Sequence, residues 1–177
     1  MRPTIVFCTA VLGLAATGAW AAQSGPTDPQ IAAIVVAANQ VDIDAGNLAK
    51  KKAHSSDVKA FAERMVVDHT GVNKSAGELV KKLHVTPEPN ATSESLKKGG
   101  DDNLAALRKL SGAAFDKAYI DHEVAYHEAV LSAIDKTLIP SAQNAELKSL
   151  LVKVRPAFVA HLEHAQHIQA ELAKSGA

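Results

Sequence analysis

Eight histidines stand in this chain, and three of them interrupt helical rows that are otherwise apolar. Read in steps of four and three, Val58, Ala62, Met65, His69, Val72, Ala76, Leu79 and Leu83 form one seam, broken at His69. A second seam runs Ala113, Ile120, Val124, His127, Leu131, Ile134 and Leu138, and a third Leu147, Leu151, Val154, Phe158, His161, Ala165, Ile168 and Leu172. Two acids join them: Asp42, on the row Ile31, Val35, Ala38, Asp42, Ala45 and Ala49, and Glu123, one turn before His127. Imidazole and carboxylate are ligands that zinc, iron(II) and manganese accept. The candidate ligands for a divalent metal (Zn, Fe or Mn) are therefore Asp42, His69, Glu123, His127 and His161. Copper(I) is disfavoured, because Met65 is the one methionine beyond Met1 and the one cysteine, Cys8, lies near the start. The Glu-x-x-His pairs of di-iron bundles are also missing, since Val66, Tyr119 and Val124 stand three before His69, His122 and His127. In the row His161, His164, His167 each step turns by about 60°; His161 faces the core, His164 the flank and His167 water. A second reading stays open. The same histidines can form a buried hydrogen-bond network with Asp42, Asp68, Asp116, Tyr119 or Tyr126 that fixes the register of the helices.

Seams this narrow must lie against other helices, because an amphipathic helix persists by burying its apolar stripe. Asp28-Pro29 opens a first helix that ends near Ala53, and His54 to Asp57 is a tight turn capped by Ser56 or Asp57. A second helix runs to about His84, with Gly71 and Gly77 inside it as weak points or close-approach sites. Pro87 and Pro89 end it. Ser93 to Leu110 reads as an outer helical crossover, broken at Gly99-Gly100 and recapped by Asp101 or Asp102. The fourth helix spans about Ala113 to Thr137, with Pro140-Ser141 ending it and Ser141 capping the fifth, which Pro156 should kink. Strand patterns and repeats do not appear. Four long helices in two hairpins joined by a crossover make an all-α, ferritin-like four-helix bundle, with the long, partly helical crossover between helices two and four. Asp42 is about 13 residues before the first turn and His69 about 14 after it, so the two lie level. The same arithmetic brings Glu123, His127 and His161 to mid-bundle.

With 177 residues, 47% of them apolar, the chain suits one domain with an ample core. A formal charge of zero removes the footprint of a nucleic-acid binder. Arg2, the apolar run Ile5 to Ala16 and Ala19-Trp20-Ala21 read as a signal peptide over residues 1–21, too short and broken to span a membrane. The mature domain is then 22–177, free of cysteine, with Gln23 to Thr27 as a polar leader; the expected destination is the bacterial periplasm.

The segments Asp42 to Ala49, Val58 to Ala62, Met65 to Thr70, Leu110 to Tyr119, His127, and Pro156 with His161-Leu162 resemble the family known as domain of unknown function 4142. The resemblance covers nearly the whole mature chain and implies an exported, ferritin-like bacterial bundle; Asp42 departs from it, standing where glutamate is expected. The family's function is unassigned. The first functional expectation is a binding or interaction protein of the cell envelope, with stress physiology as an open role and a homo-oligomer or an envelope protein as the open partner. A metalloprotein with a mononuclear His/carboxylate site is the alternative. An enzyme ranks third, for want of a G-x-S-x-G motif, a reactive cysteine or a phosphate loop.

Overall fold

The computed structural model describes residues 25–175. The expected signal peptide, with Cys8 and the cleavage point after Ala21, lies outside the described residues. Within them the fold is all-α: α1 (Asp28–Lys52), α2 (Ser56–Lys82), α3 (Ala91–Arg108), α4 (Gly112–Ala133), a π turn (Ile134–Leu138), the short α5 (Ile139–Ser141) and α6 (Ala145–Ser175). Helix α1 packs along α2 and α3, α4 along α6, and α2 along α6.

Local chemistry sets the helix ends. Thr27 caps α1, accepting from the Gln30 N–H while the Gln30 side chain bonds back to the Thr27 N–H. The cap thus falls one residue before Asp28, whose carboxylate is released to accept from the N–H groups of Gln143 and Asn144, both at 2.9 Å. Ser55 caps α2, and Asn144 rather than Ser141 caps α6 by accepting from Glu146 and Leu147. At the opposite end buried Asp116 accepts from the N–H groups of His54 (2.9 Å) and Ser55 (2.7 Å), clamping the α1–α2 turn to the start of α4.

Two expectations are corrected, and a third gains an unforeseen detail. Helix α3 is unbroken across Gly99-Gly100, because Gly100 is a contact point: a Cβ there would stand 2.8 Å from Val41 Cγ2 of α1. The helical run that begins with α4 passes through the π turn and α5 and ends at Ser141, where Pro140-Ser141 is expected to end it. The π turn itself is not foreseen: the Ile139 N–H bonds to the Ile134 carbonyl, five residues back. Nor are Gly71 and Gly77 close-approach sites, since a Cβ at either meets nothing within 4 Å. Gly71→Ala will accordingly raise stability by about 1 kcal/mol, the helix-propensity difference. Gly46→Ala will lower it, because that Cβ would lie 2.9 Å from Val66 Cγ2 and 3.0 Å from the Ala62 carbonyl oxygen. Urea titration of the two variants checks both signs.

The core is divided. One apolar cluster gathers Ala45, Ala49, Val58, Phe61, Met65, Phe115, Ile120 and Ile168; the other gathers Ile31, Val35, Ala76, Leu131, Leu138, Leu147, Leu151 and Phe158. Along each of α1, α2, α4 and α6 the passage from one cluster to the other crosses a polar residue. Those crossings are Asp42, His69, Glu123 with His127, and His161, all buried.

Candidate metal centre

The five residues singled out by seam and helix height come together between the two apolar clusters. The ring centroids of His69, His127 and His161 form a near-regular triangle, 5.6, 5.3 and 5.5 Å on its sides. Asp42 Oδ2 lies 3.6 Å from His69 Nε2, and Glu123 Oε2 lies 3.5 Å from His127 Nδ1. One nitrogen from each of the three histidines falls within 4.8 Å of the others, and Asp42, Glu123 and His127 form a second such set. His127 belongs to both.

Each imidazole is oriented by what its other nitrogen meets. His69 Nδ1 lies 2.7 Å from Asn39 Oδ1, an oxygen that can only accept, so Nδ1 carries the proton and Nε2 the lone pair. Asn39 is fixed in turn by donating through Nδ2 to the Val35 carbonyl at 2.7 Å. His127 Nδ1 donates to the Glu123 backbone carbonyl at 3.0 Å, leaving Nε2 bare. His161 Nε2 donates to Asp68 Oδ2 at 2.9 Å, leaving Nδ1 bare, and Arg64 Nε donates to the same oxygen at 2.9 Å. His69 Nε2, His127 Nε2 and His161 Nδ1 have no hydrogen-bond partner, and neither do Asp42 Oδ1 or the two Glu123 carboxyl oxygens. Buried polar atoms almost always find partners. Other buried polar atoms are unpartnered too, the Tyr119 hydroxyl and His122 Nδ1 among them, but these six include the lone pairs that a cation would use, and each histidine's second nitrogen has the outer contact that orients a metal ligand.

Electrostatics point the same way. Burial, and then the neighbouring imidazoles His127 and His161, push His69 far down, and burial pushes His127 down to about 4; both rings are neutral near pH 7, as ligation requires. Burial holds His161 down against the pull of Asp68. The acids move oppositely. Burial raises Glu123 to about 8, and burial followed by the Glu123 carboxylate raises Asp42. Without a cation, two carboxyls in so dry a place hold protons; a divalent ion would balance both charges at once.

The remaining histidines lie elsewhere. His122 is half-buried and stacks on Tyr126 with centroids 5.5 Å apart, and His164 sits on the flank with its ring edge to Phe61 at 5.4 Å. His167 is exposed. Sequence reasoning missed Asn39. Its signal was the spacing Asn39-x-x-Asp42, two polar residues one turn apart on a helix otherwise apolar on that face. From its seam Phe158 reads as plain core, yet its ring stacks on His69 at 5.0 Å and stands 6.3 Å edge-on to His127.

A family model described as a domain of unknown function, DUF4142, matches residues 14–168. The chain belongs to the DUF4142 family. The match spans all five site residues of this DUF4142 chain, and Asn39 and Asp68 as well. No curated protein and no solved structure was found to match it.

Proposed function

We propose that this DUF4142 protein is an exported, periplasmic four-helix bundle of the ferritin-like kind, with α3 as its crossover, that binds one divalent transition metal at mid-bundle. His69, His127 and His161 would hold the ion through Nε2, Nε2 and Nδ1, with Glu123 and Asp42 supplying carboxylate oxygens. One observation carries the reading: three buried imidazoles, with ring centroids 5.3 to 5.6 Å apart, each have one nitrogen engaged and the other bare. A network kept only to fix helix register would satisfy those atoms, as buried networks do. Borderline nitrogen and hard oxygen donors suit zinc, iron(II) or manganese. This reading takes up the metalloprotein alternative in place of the envelope-interaction role that stands first on sequence alone. Export is supported by Arg2, the short apolar run and Ala19-Trp20-Ala21, and an intact mass beginning at Ala22 would bear it out.

The test is equilibrium dialysis of untagged, chelator-stripped protein against zinc, manganese or iron(II). One equivalent per chain is expected for wild type and a small fraction of one for His127→Ala, because His127 belongs to both ligand sets. Equal uptake by the two proteins would defeat the assignment.

A further inference from the structure

Beside the histidine layer the helices leave a cavity of about 250 Å3. Ile34 of α1, Leu96 of α3, Val130 of α4, Ile134 of the π turn, and Leu151 and Phe158 of α6 are on its wall. The π turn contributes to this shape: Ile134 and Leu138, its first and last residues, are both buried and both line the space. Turns of this kind recur at functional sites.

The wall carries no acid, base or histidine. Its two buried or half-buried polar residues are already engaged. Asn39 donates to the Val35 carbonyl and accepts from His69, and Tyr126 donates to the Ala38 carbonyl at 3.1 Å. A ligand bearing charge would be stripped of water with nothing to replace it, a cost of several kcal/mol or more. An uncharged one would lose only unfavourable contact with water. Size narrows the class further. A cavity of about 150 Å3 lined by aliphatic and aromatic side chains stays dry and takes benzene, so this larger one suits about ten carbons by simple proportion. The exposed wall residues Thr92, Ala129 and Ala133 mark where the space meets the surface.

We propose that this cavity is a binding site for an uncharged hydrocarbon group of about ten carbons. Phe158 is shared: it is on the cavity wall, and it stacks on His69. The occupant therefore sits one ring away from the histidine layer. The site stands on the cavity alone and needs no metal, so metal-free and metal-loaded protein should both bind.

Naphthalene, with its own fluorescence, is the probe, titrated into the mature protein with and without zinc. Saturable binding of one molecule per chain is expected. Ala133→Trp and Ala129→Trp, each placing an indole at the exposed edge of the space, should weaken it at least tenfold, and having two such variants guards against one that fails to fold. Ala105→Trp, on the exposed side of α3 and away from the cavity, should bind as wild type does. The charged analogue 1-naphthoate should bind at least tenfold more weakly. Non-saturable uptake, equal binding by wild type and both edge variants, or 1-naphthoate binding as tightly as naphthalene would each overturn the proposal.

Discussion

Zinc or manganese at a hundred to a thousand times its dissociation constant will stabilise the wild-type protein by about 2.7 to 4.1 kcal/mol, the linkage expected when only the native state binds. His69→Ala will lose most of that response. His69 lies at the centre of the site, with Asp42 at 3.6 Å and the His161 ring at 5.3 Å, and its orientation is fixed by Asn39 at 2.7 Å. In the absence of metal the same variant will lower stability by about 1 to 3 kcal/mol, because Asn39 then loses a buried partner. The two effects separate in thermal or urea unfolding run with chelator and with metal. A wild-type protein whose unfolding ignores both would leave only the hydrogen-bond network.

The second large effect concerns pH. Metal-free protein will be most stable near pH 6.5 and lose stability on either side. On the acid side, His69, His122, His127 and His161 all have native pKa values below the ordinary 6.5, with burial the largest cause in each case. Between about pH 6.5 and 4 the unfolded chain therefore binds protons that the native protein refuses, and stability falls as pH falls. Glu123 and Asp42 act oppositely: burial raises both, Glu123 to about 8, so the native state keeps protons that the unfolded chain has released. Their contribution falls as pH rises towards 8. Four histidines outweigh two carboxyls in the acid window, whereas above 6.5 the carboxyls act alone. Each net proton changes the slope by about 1.4 kcal/mol per pH unit. Saturating metal should flatten the alkaline descent, since a cation stabilises the ionised carboxylates. Denaturant midpoints from pH 4 to 8, with and without metal, read out both limbs, and a flat metal-free profile would contradict the burial of these groups.

Much of this site is legible in the sequence because it rests on two independent periodicities. Seam position says which way a side chain points, and distance from a turn says how high it lies. For His69 and His161, on clean apolar rows, both agree with the structure. Asp42 was harder, since Asp44 also breaks the pattern of α1, and the height match with His69 decided it. What the sequence hid has physical reasons. Gly99-Gly100 reads as a break by propensity, but tertiary packing against Val41 overrides it. Pro140 reads as a stop and the helical run does end at Ser141, but the π turn just before it, where the Ile139 N–H bonds five residues back, leaves no mark in the apolar pattern. Helix caps moved by one to three residues, because Thr27, Ser55 and Asn144 each compete with a neighbour able to do the same job. Asn39 lies one residue from Ala38 on the core row, and its spacing to Asp42 is its one sequence signal; its burial and its bonds to Val35 and His69 appear only in the fold.

X-ray absorption at the metal edge of the loaded, untagged protein tests the central claim most directly. Three imidazole nitrogens at about 2.0 to 2.1 Å if the ion is zinc, with one or two carboxylate oxygens at similar range, are expected. That signature should be lost from His161→Ala, whose Nδ1 is one of the three bare ring atoms. A spectrum showing only oxygen ligands, or one unchanged in that variant, would place the metal elsewhere and contradict the account.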